Sequence, residues 1–235
     1  MNILNIAGYK FVTLTGLIDF RRELLAKCNA LQLKGTILLS TEGINISLAG
    51  EYTAIQQFKS YLVNYPQLSD MSFRESHSDF LPFQRMKVKL KKEIITMRRS
   101  EVLPEKTKAP EMTPEELKQW LDEKCEMTLL DTRNAYEIEY GTFENAVNLG
   151  MEDFCEFPQL AEKLNRNKPI VMFCTGGIRC EKAAVYLLQS GFNNVYQLQG
   201  GILNYFSKVG GAHYQGNCFV FDERVAVDTN LKTIN

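Results

Sequence analysis

The chain of 235 residues lacks any apolar segment long enough to form a membrane-spanning helix. Such a helix needs roughly 18 or more consecutive apolar residues. The start of the chain also lacks a basic segment and a small-residue cleavage site, and Lys10 and Asp19 interrupt its apolar stretch. A signal peptide has both features and an unbroken apolar core. We therefore expect a cytoplasmic protein that does not associate with a membrane.

Histidine is scarce, and the cysteines follow no regular spacing. His77 and His213 are the only histidines, and the six cysteines form no paired pattern that would indicate a zinc site or a disulfide framework. In a cytoplasmic protein cysteines are mostly reduced. No residue constellation typical of flavin, haem or non-haem iron is evident either. We therefore predict no metal site, and no cofactor is evident from the sequence.

The composition, with 45% hydrophobic and 23% charged residues, is that of an ordinary globular protein. Its net charge of −1 conceals an asymmetry along the chain. Residues 1–100 carry a net charge of +6, and the remaining 135 residues carry −7. A basic N-terminal part favours contact with a polyanion.

The first hundred residues alternate between strand and helix patterns. Apolar runs predict strands at 9–14, 35–40, 44–48 and 71–75, and periodic apolar residues predict helices at 19–31 and 51–65. Asp19 is the predicted N-cap of the first helix, and Pro66 is predicted to end the second. The order β-α-β-β-α-β is typical of a ferredoxin-like (acylphosphatase-like) α+β domain, which we assign to residues 1–99.

A strand rich in lysine is predicted next. In it three apolar residues alternate with three lysines: Met86, Lys87, Val88, Lys89, Leu90 and Lys91. In a strand this alternation places the apolar groups on one face and the ammonium groups on the other. The lysine face either protects a sheet edge from pairing or contacts nucleic-acid phosphates.

The second half of the chain predicts an α/β domain. Residues 100–112 contain prolines and several charges, and we assign them to a linker. Thr113 and Glu116 then form a capping box around Pro114, which indicates the start of a helix. Alternating strands and helices over residues 113–210 predict a parallel sheet covered by helices, and residues 211–235 are assigned to a C-terminal extension.

Cys174 lies at the end of a strand of this predicted sheet, where active sites of such folds are found. It follows the apolar run 170–173 and precedes a predicted helix at 181–188. Backbone N–H groups and a helix dipole there stabilise an anion, which lowers the pKa of a thiol and exposes its sulfur for chemistry. We predict that Cys174 is a catalytic thiolate; a small buried side chain is the alternative. The active-site loop contains the six residues that follow: Thr175, Gly176, Gly177, Ile178, Arg179 and Cys180.

Other residues near this loop have more than one interpretation. Arg179 either structures the loop and stabilises an anion, or pairs with a surface carboxylate. Cys180 is either a resolving thiol or a side chain packed under the first turn of the helix, since a disulfide requires Cα atoms within about 7 Å. Asp131 and Arg133 follow a strand predicted at 127–130, and we expect them to form a charge pair that positions the rim of the site.

Several segments of the second half resemble the rhodanese-like domain. They are the strand end at residues 131–133, the segments 140–148 and 195–202, and the Cys174 loop. The spacing from Cys174 to Arg179 is C-x4-R, a six-residue loop, whereas related phosphatases use a larger C-x5-R loop that fits phosphate. The resemblance implies that the loop cradles a sulfur atom as cysteine persulfide, and it disfavours phosphatase activity.

A wider pattern covers essentially the whole chain. The basic ferredoxin-like domain, the segment 87–94, the sequence CTGGIRCEKA and the segment 216–227 occur together. This combination resembles the tRNA uridine hydroxylase family. The resemblance implies a tRNA-modifying enzyme that hydroxylates carbon 5 of the wobble uridine at position 34 with molecular oxygen as co-substrate. It also implies binding of the anticodon arm, through Lys87, Lys89 and Lys91.

One departure from the family and two other functions stay open. Many members have a cysteine-rich tail with paired cysteines, and this sequence ends at Asn235 without one. Either this member lacks the tail or the sequence is truncated. From the cysteine loop alone, we would predict a sulfurtransferase that moves sulfane sulfur from thiosulfate or a persulfide to an acceptor. The third possibility is a persulfide carrier or RNA-binding adaptor without turnover of its own. The oligomeric state, the set of tRNAs and the electron source stay open.

Overall fold

The computed structural model describes residues 3–234 and divides them into two compact units. The first unit contains residues 3–94 with 222–224, and the second contains residues 95–221 with 225–234. No helix within residues 3–234 is both long enough and apolar enough to cross a lipid bilayer.

The first unit contains a mixed sheet and two α-helices. Its elements are β1 (Ile3–Phe11), α1 (Leu17–Ala30), β2 (Lys34–Ser40), β3 (Gly43–Glu51), α2 (Tyr52–Val63), β4 (Arg74–Ser78) and β5 (Met86–Leu90), with a short 3₁₀ helix at Pro66–Leu68. The strand order is β4-β1-β3-β2-β5; β2 and β5 are parallel, and the other neighbours are antiparallel. The predicted ferredoxin-like element order is confirmed, and β5 adds an edge strand to it.

The core of this unit forms where the sheet meets the apolar faces of the helices. Ile55, Phe58 and Leu62 recur every three or four residues along α2 and are buried. They share one cluster with Ile37 and Leu39, which alternate along β2. Because the apolar residues recur every three or four positions in α2 and alternate in β2, the sequence alone predicts this helix and this strand.

The start of α1 differs from the prediction. The helix begins at Leu17, after Gly16, whose φ of 61° lies in the left-handed region that glycine adopts without strain. Asp19 is therefore not the N-cap. It lies in the first turn, where its carboxylate accepts a hydrogen bond from Arg22 and faces the positive end of the helix dipole.

The lysine strand β5 is only partly as predicted. Lys87 and Lys89 are exposed and Val88 is buried, as the alternation requires, and Lys91 is exposed just after the strand. Leu90, however, is 42% exposed, so the apolar face is not covered along its whole length. The reason is that β5 is an edge strand, paired with β2 alone.

The second unit is an α/β domain with a parallel sheet. Its elements are β6 (Glu111–Met112), α3 (Pro114–Asp122), β7 (Thr128–Asp131), α4 (Ala135–Ile138), β8 (Gly141–Phe143), β9 (Val147–Asn148), α5 (Phe157–Ala161), β10 (Ile170–Phe173), α6 (Ile178–Gln189), β11 (Val195–Leu198), α7 (Gly201–Val209), β12 (Tyr214–Gly216), β13 (Cys218–Phe219) and β14 (Ala226–Val227). The order β6-β11-β10-β7-β9 forms the parallel sheet, while β12 pairs with β8 and β13 with β14. The predicted capping box at Thr113 is present.

The boundary between the two units lies earlier than the sequence predicts. The division falls after Ile94, and residues 100–112, assigned to a linker, pack onto the second unit. Val102 and Ala109 are buried in its core, and β6 extends the parallel sheet beside β11. Prolines and charged residues predict a linker because they are typical of irregular backbone. Irregular backbone can nevertheless pack onto a domain when apolar side chains within it are buried in the core of that domain.

The C-terminal extension is likewise part of the fold. β12 pairs with β8, and Tyr214, Cys218 and Val227 are buried in the core of the second unit. These short strands were not predicted, because two or three residues give no readable alternation.

Candidate active site at the cysteine loop

Cys174 is positioned by the centre of the parallel sheet. It directly follows β10, a strand whose residues are all buried, and β10 pairs on either side with β7 and β11. Phe173, at the end of β10, is in register with Asp131, at the end of β7. The carboxyl ends of these parallel strands therefore bring Cys174 and the Asp131 segment to one edge of the sheet, as the sequence predicts.

The sulfur of Cys174 is buried rather than exposed. The residue is 1% exposed, which differs from the predicted accessible thiol. The backbone N–H of Ile202 donates to the Cys174 carbonyl at 2.9 Å, so α7 packs directly on the loop. A Cβ at Gly201, whose φ is +66°, would lie 2.4 Å from that carbonyl oxygen. Glycine at 201 permits this close approach, which covers the cysteine.

The loop backbone closes around the sulfur. The N–H of Gly177 donates to Cys174 Sγ at 3.1 Å, and Gly177 is the N-cap of α6, with a φ of 99°. The helix begins at Ile178, three residues earlier than predicted. Its N-terminus is thus directed at the sulfur, where aligned peptide dipoles stabilise negative charge.

The thiol of Cys174 is acidic although it is buried. Burial alone raises its pKa, but a hydrogen bond with Cys180, the charge of Arg179 and the backbone N–H groups of Arg179 and Gly177 outweigh burial. Their combined effect holds the pKa of Cys174 well below its ordinary value. The predicted thiolate state therefore has a structural basis, in agreement with the way reactive cysteines are generally activated.

Cys180 supports this ionisation. It is fully buried in the first turn of α6, and its sulfur lies 3.5 Å from Thr132 Oγ1. Burial, and then the hydrogen bond and charge of Cys174, raise the pKa of Cys180 well above the ordinary range. Cys180 therefore stays protonated, and its S–H group donates a hydrogen bond to the Cys174 thiolate. The two cysteines are free thiols, and the structure shows Cys180 in the packed position, one of the two interpretations left open.

Arg179 is held by a carboxylate that the sequence did not identify. Its guanidinium donates to both oxygens of Glu137, at 2.5 and 2.7 Å, and both side chains are buried. Glu137 lies in α4, where its carboxylate also accepts a hydrogen bond from the backbone N–H of the N-cap residue Asn134 at 3.1 Å. The pattern Asn-x-x-Glu could have indicated this helix start. Nothing local could have indicated that the same Glu137 pairs with an arginine 42 residues away.

Asp131 and Arg133 form the predicted charge pair, but they lie inside the domain. Arg133 Nη2 donates to Asp131 Oδ2 at 2.6 Å and to the carbonyl of Gly141 at 2.7 Å. Thr142 Oγ1 donates to the same carboxylate at 2.8 Å. Both charged side chains are fully buried, so the pair that was expected to position the site rim lies in the interior of the domain. They tie the ends of β7 and β8 together behind the loop.

The remaining predicted site residues fall into two groups. Thr175, Gly176 and Ile178 are half-buried and form the more accessible part of the loop. Lys87, Lys89 and Lys91 belong to the first unit, whereas the cysteine loop belongs to the second.

Two family profiles together cover most of the chain. Residues 3–94 match the UPF0176 acylphosphatase-like domain, and residues 113–208 match the rhodanese-like domain. These two matches agree with the two predicted folds.

Full-length relatives are similar over nearly the whole chain. A protein of Cupriavidus pinatubonensis named tRNA uridine(34) hydroxylase is 48% identical over 240 residues, which span 99% of this chain and 85% of the relative. A Burkholderia thailandensis protein of the same name is also 48% identical, over 98% of this chain and 82% of the relative.

Two solved structures are similar to less than half of the chain. A rhodanese-like domain of Anabaena sp. aligns with 46% of this chain and 80% of its own length, at 23% identity and a TM-score of 0.40. A rhodanese-related protein of Thermoplasma volcanium aligns with 43% of this chain and 94% of its own length, at 24% identity and a TM-score of 0.38.

Proposed function

Because the chain belongs to the tRNA uridine(34) hydroxylase family, we propose that it hydroxylates carbon 5 of the wobble uridine of tRNA. The observation that carries this proposal is the 48% identity to proteins of that name over 98–99% of the chain. The aligned region contains the whole cysteine loop and both units. A shared rhodanese-like fold alone would support only a sulfur-handling domain.

We propose molecular oxygen as the co-substrate. Hydroxylation replaces the C5–H bond of uracil with a C5–OH group, which takes one oxygen atom of O2. The other atom leaves as water, with two electrons and two protons from an external reductant. The enzyme is in this sense an oxidoreductase, and its role in tRNA processing places it with the tRNA pool in the cytoplasm.

Cys174 is the proposed reactive group of this chemistry. Its thiolate is stabilised by Gly177, Cys180 and Arg179, which are donors or charges fixed before substrate arrives. The six-residue loop also has the size that suits an outer sulfur atom, so Cys174 acts either as the thiolate itself or as a persulfide. Glu137 and Asp131 act as positioning residues, since each holds an arginine through buried hydrogen bonds.

The test is nucleoside mass spectrometry of tRNA from a strain in which the gene for this chain is deleted. We expect 5-hydroxylated wobble uridine and its derivatives to fall, and to return when the chain is expressed from a plasmid. Growth without oxygen should produce the same fall in the intact strain. Unchanged wobble hydroxylation in the deletion strain would overturn the proposed function.

A sulfurtransferase is the second candidate, and the acidic Cys174 in a short loop favours it. A thiolate of this kind attacks thiosulfate, forms a persulfide and releases sulfite; an acceptor thiolate or cyanide then takes the outer sulfur. The deletion strain separates the two functions. Sulfur transfer in vitro together with unchanged wobble hydroxylation in the deletion strain would favour the sulfurtransferase.

We propose that the first unit binds the anticodon arm through the lysines within and just after β5. Lys87, Lys89 and Lys91 are exposed and lie within a stretch of five residues, so their ammonium groups present a concentrated positive charge. Lysine contacts to phosphates release condensed counterions, which makes affinity fall as salt rises.

Replacing Lys87, Lys89 and Lys91 with alanine is expected to weaken tRNA binding and to flatten its salt dependence. Each lost phosphate contact reduces the slope of log K against log salt by about 0.7–0.9, so three contacts reduce it by about 2–3. Fluorescence anisotropy of labelled tRNA over a series of salt concentrations measures this slope.

The matched control replaces three exposed lysines of the second unit with alanine: Lys106, Lys108 and Lys163. This control variant removes the same charge, and it should change the slope of log K against log salt by less than the contribution of one phosphate contact. Equal slopes in the two triple variants would mean that Lys87, Lys89 and Lys91 affect tRNA binding only through the net charge of the protein.

A further inference from the structure

Four aromatic side chains pack together in the second unit. The ring of Phe219 is central: its centroid lies 5.5 Å from that of Tyr136, 5.4 Å from that of Tyr140 and 5.1 Å from that of Phe221. Tyr136 belongs to α4, Tyr140 follows that helix, Phe219 belongs to β13 and Phe221 follows that strand. We refer to these four side chains as the aromatic cluster.

The aromatic cluster adjoins the cysteine loop at two points. Thr175 Oγ1 donates to the carbonyl of Phe219 at 3.4 Å, and the guanidinium carbon of Arg179 lies 5.9 Å from the ring centroid of Phe221. Between Thr175 and Arg179 the loop is open: a Cβ added at Gly176 would meet no atom within 4 Å. The rings therefore lie next to the accessible side of the loop that holds Cys174.

The outer rings of the aromatic cluster are exposed. Tyr136 is 41% exposed, Tyr140 is 38% exposed and Phe221 is 60% exposed, whereas Phe219 is half-buried beneath them. A single exposed aromatic side chain is common on protein surfaces, but a contiguous exposed group marks a binding surface. Packing of the domain core does not account for the exposed face of Phe221.

The local charge favours a flat, uncharged ligand. The guanidinium beside Phe221 is neutralised by Glu137, which accepts two hydrogen bonds from it. The cation next to the rings is thus already paired, which makes this surface a poor phosphate site. An unstacked nucleobase has the complementary properties, since it is flat, uncharged and gains affinity by stacking on an aromatic ring.

We propose that the aromatic cluster binds the unstacked pyrimidine base of a single-stranded RNA loop, with Phe221 as the stacking platform that holds the base beside the accessible part of the Cys174 loop. This proposal rests on the proposed function and deepens it, because it names the residues that hold the target base. Phosphate contacts alone would fix the RNA but not the base.

The test uses a synthetic anticodon stem-loop RNA with 4-thiouridine at position 34. On irradiation we expect crosslinks to peptides that contain Phe221 or Tyr136, identified by mass spectrometry. Phe221→Leu keeps an apolar side chain but removes the π face, and we expect it to weaken binding of the stem-loop by about 10-fold. Phe221→Trp should restore the affinity, which a merely structural role of the side chain would not predict.

Leu103→Ala is the matched control, since Leu103 is an exposed apolar residue of the same unit. It should leave both affinity and crosslinking unchanged. Wild-type affinity of Phe221→Leu, with crosslinks outside the aromatic cluster, would overturn the proposal, and this is also the result expected if the cluster binds a protein. Binding and crosslinking do not require turnover. The two proposals can therefore fail separately. If RNA crosslinks to Phe221 but deletion of the gene leaves wobble hydroxylation unchanged, base binding by the aromatic cluster is supported and the proposed hydroxylase function is not.

Discussion

In a deletion strain that expresses Cys174→Ser, wobble uridine is expected to stay at the hydroxylation level of the empty vector. A serine hydroxyl does not ionise near neutral pH, so the hydrogen bond from Gly177 and the charge of Arg179 no longer stabilise a reactive anion. Loss of a nucleophile of this kind reduces turnover by at least about 1,000-fold. Nucleoside mass spectrometry of total tRNA measures the modified fraction.

The substitution changes one atom in a buried position, so the fold is expected to survive. Thermal unfolding of the purified variant checks this. Cys125→Ser, at a half-buried cysteine after α3, is the matched control and should restore hydroxylation to the level of the unchanged chain. Full restoration by Cys174→Ser would remove the thiol from the mechanism, whatever the function of the loop.

The features that sequence predicted well are those encoded by neighbouring residues. The capping box at Thr113 and the buried strand before Cys174 each depend on a few consecutive side chains. The element order of the first unit follows from periodic apolar residues in the same way. The position of Cys174 at a strand end, and thus the candidate site, was readable for this reason.

The features that sequence missed depend on residues far apart in the chain. Glu137 reaches Arg179 only after α4 and α6 have packed at one edge of the sheet. The helix α7, which begins 27 residues after Cys174, packs on the loop through a hydrogen bond to the Cys174 carbonyl. The sequence of residues 100–112 predicts a linker, but Val102 and Ala109 are buried in the core of the second unit. Burial and pairing of this kind have no local signature.

Different effects on the pKa of Cys174 are expected when the two partners of the Arg179–Glu137 pair are replaced separately. Glu137→Gln and Arg179→Gln each leave one buried charge without its partner, and each should lower the free energy of unfolding by about 3–5 kcal/mol. Urea denaturation measures this loss. Glu139→Gln, at an exposed carboxylate just after α4, is the control and should change stability by less than about 0.5 kcal/mol.

The pKa of Cys174 separates the two variants, because burial raises it and Arg179 is one of the groups that lower it. In Arg179→Gln burial still acts and the Glu137 carboxylate is left unpaired, so the pKa should rise toward the ordinary value of a thiol. In Glu137→Gln the guanidinium stays charged and loses its neutralising partner, so the pKa should stay low or fall further. The inflection of iodoacetamide alkylation rate against pH, measured by mass spectrometry of the Cys174 peptide, reports it independently of access to the sulfur. An unchanged inflection in Arg179→Gln would mean that the N–H of Gly177 and the thiol of Cys180 suffice to hold the anion, and that Arg179 serves only to fix the loop to α4.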